Sequence, residues 1–182
     1  MMLHPDADQV LISARRLRTR VRAMAAQISK DYADKGVLHL VTVLKGGVFF
    51  LTDLARELQI PNSLDFMAVS SYGKHVESGE VRITKDLDES IQNRHVLIVE
   101  DIVDTGLTLA YLCRNLERRG PASLKVAVLL DRPKRRIADV PIGYKGFDIP
   151  DLFVVGYGLD WRQQYRNLPY IGVLRSDALA AG

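Results

Sequence analysis

Two neighbouring carboxylates, Glu100 and Asp101, end the apolar run Val96-Leu97-Ile98-Val99, and the chain continues through Ile102 and Val103 to Asp104-Thr105-Gly106-Leu107-Thr108. Adjacent acceptor-only side chains take hydrogen bonds from two vicinal hydroxyls, as on a ribose, or hold a divalent cation through water. After Asp104 an apolar helical pattern runs through Leu109, Leu112, Cys113 and Leu116 and stops at Gly120 and Pro121, so the Asp104–Thr108 loop opens a helix. Amides at a helix start point outward. With the helix dipole and the Thr105 and Thr108 hydroxyls they make a site for an anion such as a monophosphate. The chain contains neither GxxxxGK[ST] nor GxGxxG, which excludes a Walker or dinucleotide loop. Taken singly, each of these residues is also ordinary punctuation between a strand and a capped helix. A second anion site is offered by Lys45, Gly46 and Gly47, where one cation and backbone amides follow another apolar run.

Parallel strands covered on both faces position such loops, because open α/β sheets bind ligands beyond the carboxyl ends of their strands. Candidate strands lie at Leu38–Leu44, Leu64–Ser70, Val96–Asp101, Leu124–Leu130, Leu152–Tyr157 and Ile171–Leu174, with helices at Gly47–Leu58 and Leu107–Arg119. Asp6 and Gln9 form a potential capping box, and Val10, Ala14, Leu17, Val21, Met24 and Ile28 recur at helical spacing, which predicts an amphipathic first helix starting there. Its arginines Arg15, Arg16, Arg18, Arg20 and Arg22 flank the apolar seam on several sides and read as a solvated or subunit-facing surface, not a nucleic-acid stripe. The polar stretch Tyr72–Asp88 reads as a long loop or hairpin of the kind that forms a lid.

At 182 residues and 47% apolar content the chain predicts one domain with a substantial core. A formal charge of +3 suits a polyphosphate and nucleic acid equally, and decides nothing. No apolar run approaches the ~18 residues of a membrane span and no signal pattern opens the chain, so a cytoplasmic protein without membrane partners is expected. The single cysteine, Cys113, fits a reducing compartment.

Four motifs, LKGG (44–47), SSYG (70–73), VEDIVDTG (99–106) and FVVGYGLD (153–160) followed by YRNLPYIGVL, occur in the order found in type I phosphoribosyltransferases. Over residues 36–174 the chain resembles the bacterial hypoxanthine-guanine branch of that family. The resemblance implies an α/β fold with a central, mostly parallel twisted sheet flanked by helices. A small hood would come from the N-terminal segment and residues 145–174, and the core from about residues 36–135. It implies transfer of 5-phosphoribose from phosphoribosyl pyrophosphate to hypoxanthine or guanine, giving IMP or GMP and pyrophosphate, with Mg²⁺, in a homodimer or homotetramer.

By the same resemblance Glu100, Asp101, Asp104, Thr105, Gly106 and Thr108 bind the phosphoribose, Asp104 takes the purine N7 proton, and Lys45, Gly46 and Arg166 bind pyrophosphate. Glu100, Asp101 and Asp160 hold the metal. Ser71 and Tyr72 close the lid, and a cis peptide is implied between Leu44 and Lys45. Phe153, Val154 and Asp160 form the purine pocket, although Phe153 without the family reads as core. Arg132 stands where the family has a lysine for the purine 6-oxo group. Arginine keeps the donor but differs in length and planarity, which leaves Lys134 as a substitute and a solvated Arg132–Arg136 cluster as the bland reading. Transfer to xanthine or another base, and an RNA-binding attenuator on the same fold, are the competing functions.

Overall fold

The computed structural model describes residues 3–71 and 81–180, apart from the side chains of Ser71 and Val81. In chain order the elements are β1 (Ala7–Ile12), α1 (Ala14–Asp31), β2 (Leu38–Val43), α2 (Val48–Glu57), β3 (Asn62–Ser71), β4 (Val81–Lys85) and β5 (His95–Val103). They continue with α3 (Leu107–Glu117), β6 (Ser123–Asp131), a 3₁₀ turn (Pro133–Arg135), β7 (Ile142–Asp148), β8 (Val154–Val155), β9 (Ile171–Leu174) and α4 (Ser176–Ala180). Six strands form one sheet in the order β4-β3-β2-β5-β6-β7, parallel except for β4 at the edge. A separate antiparallel sheet, β1-β9-β8, is built from the two ends of the chain.

The run at Val96–Val99 is continuous because β5 is covered on both sides. Leu97 and Val99 pack into the layer under α1 and α2 with Leu17, Met24, Phe50 and Leu54. Val96 and Ile98 pack on the other face with Leu109, Leu112, Cys113 and Leu116 of α3. Burying each such side chain contributes about 1.5–3 kcal/mol, so both helices are held by the strand that carries the carboxylates.

The connections fix where the site opens. From β2 the chain passes through α2 to β3 on one side, and from the adjacent β5 it passes through α3 to β6 on the other. Neighbouring strands therefore send their loops in opposite directions, which leaves a crevice at their carboxyl ends.

The first helix does not begin at Asp6. Ala7–Ile12 pairs with β9, and α1 starts at Ala14 with Ser13 Oγ accepting the Arg16 amide at 3.3 Å. Val10 and Ala14 fall at helical spacing in two different elements, and only the pairing with β9 distinguishes them. Asp6, no helix cap, accepts the Tyr165 hydroxyl at 2.8 Å. The strand expected over Leu152–Tyr157 shortens to β8 because Gly156 and Tyr157 take φ of 100° and 48° and turn the chain away. Of the stretch Tyr72–Asp88 expected as a long loop or hairpin, Val81–Lys85 forms β4, the antiparallel partner of β3, and residues 72–80 lie outside the described residues. Strand β7 escapes periodicity because Gly143 and Gly146 interrupt it; the missing Cβ of Gly146 lets β7 lie against the Leu129 carbonyl.

Candidate functional site

Pairing between β2 and β5 ends at Val41 and Ile98, so the strands part just before the carboxylates. Glu100 Oε1 fills the gap by accepting the Val43 amide at 2.9 Å. Burial first, then the neighbouring Asp101 charge, holds the Glu100 carboxyl well above the usual carboxylate range. Burial also raises Asp101, to about 6, against the lowering effects of the Ile102 amide and Arg166. Asp101 Oδ1 accepts that amide at 2.7 Å. A Cβ on Gly46 would overlap the Asp101 carboxylate and lie 3.4 Å from the Gly158 carbonyl, so glycine here lets three loops converge.

The start of α3 makes a cavity of about 170 Å³ lined by Glu100, Asp104, Thr105, Gly106 and Thr108. Gly106 caps the helix at φ 82°, and a Cβ there would lie 2.7 Å from the Ala138 carbonyl. The Thr105 carbonyl in turn accepts the Ile137 and Ala138 amides at 2.8 and 3.0 Å, tying this loop to the segment after β6. Outward amides, two hydroxyls and an aligned helix suit a phosphate-sized anion.

A second cavity of about 480 Å³ shares Val43, Glu100, Ile102 and Asp104 with the first. Its walls bring together Lys45, Gly46, Asp101, Asp160 and Arg166, and also Arg132, Arg135, Phe153, Val154 and Leu159. The Leu44–Lys45 peptide is cis. Lys45 Nζ donates to Gln163 Oε1 at 3.2 Å, and Arg166 donates to the Gly158 carbonyl at 2.6 Å and pairs with Asp160 at 2.8 Å. Phe153 is no core residue. It is 37% exposed on the cavity, with its ring edge-to-face against Trp161 at 5.2 Å.

Arg132 is buried. One guanidinium nitrogen donates to the Leu152 carbonyl at 2.7 Å, and another lies 3.6 Å from Asp104 Oδ2. Arg135, which sequence reasoning did not single out for the site, also lines this cavity and donates to Asp104 Oδ2 at 3.1 Å. The signal was available: in a 3₁₀ turn residues i and i+3 eclipse, so Arg135 sits one turn beyond Arg132. Lys134 is exposed and lines neither cavity. Two buried polar atoms, Asp104 Oδ1 and Arg132 Nε, have no hydrogen-bond partner among the described residues.

Ser71 ends β3, while its side chain and Tyr72 lie outside the described residues. Among the described residues no three carboxylate, imidazole or thiol groups converge into a ready metal cage. Likewise, no described helix is long and apolar enough to cross a membrane.

Residues 8–162 match the model of the phosphoribosyl transferase domain. The chain belongs to the phosphoribosyltransferase family. It is an enzyme of that family. It is 52% identical over 179 residues to the hypoxanthine-guanine phosphoribosyltransferase of Mycobacterium avium, covering 94% of this chain and 88% of that protein. The Bacillus subtilis hypoxanthine-guanine phosphoribosyltransferase is 48% identical over 176 residues, covering 96% and 97%. A solved Trypanosoma cruzi hypoxanthine phosphoribosyltransferase in complex with the product IMP superposes with a TM-score of 0.92 at 42% identity, covering 97% of this chain and 99% of that one. Phosphoribosyltransferases of this kind generally use a divalent metal.

Proposed function

We propose that the protein is a purine salvage transferase that moves 5-phosphoribose from phosphoribosyl pyrophosphate to N9 of hypoxanthine or guanine, releasing IMP or GMP and pyrophosphate. The observation that carries the base assignment concerns two of the six buried side-chain polar atoms that have no hydrogen-bond partner among the described residues. Asp104 Oδ1 is an acceptor and Arg132 Nε a donor, and both belong to side chains lining the cavity beside Phe153. A 6-oxopurine offers the complement, a donor at N7–H and an acceptor at the oxo group. Leaving either atom unpaired costs about 1–3 kcal/mol, which binding of the right base removes.

In the proposed reaction the bond from the ribose carbon to pyrophosphate breaks with its electron pair going to the leaving group, while the N9 lone pair forms the new bond. Asp104 accepts the N7 proton as the base becomes nucleophilic, a step worth ~10² to 10⁴ in rate. Glu100 and Asp101 hold the two ribose hydroxyls and stand beside the carbon that becomes cationic. Thr105, Gly106 and Thr108 grip the 5′-phosphate through amides and hydroxyls. Lys45, the Gly46 amide and Arg166 take the charge that develops on pyrophosphate. Phe153 presents its exposed face to the purine, and Val154 follows it on β8 to meet the ring edge.

The carboxylates Asp101 and Asp160 on the cavity wall fit Mg²⁺. That ion takes one or two carboxylates and leaves its other positions to water and substrate oxygens, so a complete cage is not required. When bound it would supply Lewis-acid neutralisation of the diphosphate. Ser71 and Tyr72 are proposed to cover the site, and the enzyme to act in the cytosol as a homo-oligomer.

The test is a panel of hypoxanthine, guanine, xanthine, adenine and uracil with the donor and Mg²⁺. Product from the 6-oxopurines is expected, together with a loss of ~10² or more in kcat for Asp104→Ala in a folded protein. Turnover of xanthine or adenine alone overturns the base assignment, and an unchanged kcat overturns the proton acceptor.

A further inference from the structure

Lys45 and Arg166 reach the same cavity wall from loops more than a hundred residues apart, and one neutral group lies between them. The side-chain oxygen of Gln163 accepts from Lys45 Nζ at 3.2 Å and from Arg166 Nη2 at 3.1 Å. The same residue is tied down through its backbone. Its amide donates to Asp160 Oδ2 at 2.8 Å, while Asp160 Oδ1 takes Arg166 at 2.8 Å, which closes a ring through three side chains. The bend beneath is tight: Arg162, Gln163 and Tyr165 take φ of 52°, 66° and 71°, and Trp161 and Gln164 exchange backbone hydrogen bonds across it at 3.0 and 3.3 Å. Non-glycine residues hold such conformations only where surrounding contacts enforce them.

We propose that Gln163 is a positioning residue, whose amide oxygen bridges Lys45 and Arg166 and holds the two cations ready for the diphosphate of the donor. The inference rests on the reading of these cations as the pyrophosphate clamp. Long flexible side chains lose rotamer freedom when a ligand fixes them, and two like charges brought together repel. A shared acceptor meets both costs before the ligand arrives. Being uncharged, it gives way to anionic oxygens, whose hydrogen bonds to Lys and Arg are about twice as strong as those of a neutral acceptor. The amide is thus a placeholder that the leaving group displaces.

The experiment compares Gln163→Met, which keeps length and removes the acceptor, with Gln163→Glu, which keeps an acceptor oxygen. It reads KM for phosphoribosyl pyrophosphate and for the base, kcat, and the Kd of inorganic pyrophosphate by calorimetry. For Gln163→Met, KM for the donor and Kd for pyrophosphate rise about five- to tenfold, the size expected for losing the pre-ordering of two long side chains. The base KM stays within twofold, kcat changes little, and Gln163→Glu also weakens donor and pyrophosphate binding, because its charged oxygen competes with the diphosphate for the two cations. Gln163→Met indistinguishable from the parent overturns the proposal, as does an equal rise for donor and base, which marks a general structural effect. Lys45→Ala and Arg166→Ala run alongside. If they weaken pyrophosphate binding and Gln163→Met does not, the bridge alone fails. If they too leave it unchanged, the clamp reading itself fails.

Discussion

Asp101 carries a charge that the folded protein resists, and removing that charge should stabilise the protein while harming its chemistry. Burial raises its carboxyl from the ordinary 3.8 to about 6, after the lowering influence of the Ile102 amide and Arg166 is included. Below about pH 4 the group is protonated both folded and unfolded, and ionisation costs folding little. Between about 4 and 6 the folded protein keeps a proton that the unfolded chain has lost, so stability falls as pH rises through this window. Above about pH 6 both states are ionised and the full cost remains. At about 1.4 kcal/mol per pKa unit, the gap between 3.8 and about 6 corresponds to about 3 kcal/mol.

Asp101→Asn tests this with little change of shape. The asparagine oxygen retains the 2.7 Å bond from the Ile102 amide. At pH 7.5 urea unfolding should show a gain approaching 3 kcal/mol, and the melting temperature should rise by roughly 6–12 °C for a chain of this length. At pH 4.5 the gain should shrink to about 1 kcal/mol, because the folded aspartate is then protonated and carries no buried charge. The same variant should bind phosphoribosyl pyrophosphate less well, the exchange of stability for function expected where a site stores an unfavourable charge. A loss of stability at pH 7.5, or a gain of equal size at both pH values, refutes the reasoning.

Gly46→Ala should lower donor binding by at least tenfold, because its methyl group would overlap the Asp101 carboxylate; normal steady-state kinetics would show that the three loops have room to spare. Arg132→Ala should raise KM for hypoxanthine and guanine by about tenfold or more while leaving donor KM nearly unchanged, whereas Lys134→Ala should leave all three alone. The reverse pattern would move the oxo-group donor to Lys134. The Cys113 thiol is buried on α3's packing face and pushed up to about 11 chiefly by that burial, so it should resist alkylation at pH 8 in the folded protein. Rapid labelling under native conditions would contradict this.

The parts of the site legible in the sequence are those in which one strand-loop-helix unit contains the whole device. Val96–Thr108 is such a unit: its apolar run, two carboxylates and helix start are contiguous, and the strand, the helix and the two adjoining cavities lie where local chemistry places them. Lys45 and Gly46, which follow β2 closely, are carried to the wall of the larger cavity in the same way. What could not be read locally is what tertiary pairing decides. Strand β1 and the real start of α1 depend on β9, about 160 residues away, and no spacing in residues 6–28 distinguishes a strand followed by a helix from one long helix.

The base end shows the same limit in chemical form. Phe153 lies in an apolar stretch and reads as core, yet the positive φ angles at Gly156 and Tyr157 cut the strand short, and the ring stands partly exposed beside Trp161. Without the family resemblance Arg132 and Arg135 read as a solvated charge cluster, because a charge run usually is one. Here the 3₁₀ turn aims both at Asp104 Oδ2, while the buried Oδ1 has no hydrogen-bond partner among the described residues. In the proposed reaction the turn therefore does more than carry a donor for the purine. By engaging Oδ2 from two sides, it fixes the orientation of the Asp104 carboxylate, and in the proposed reaction Oδ1 is then the oxygen that meets the proton on the base.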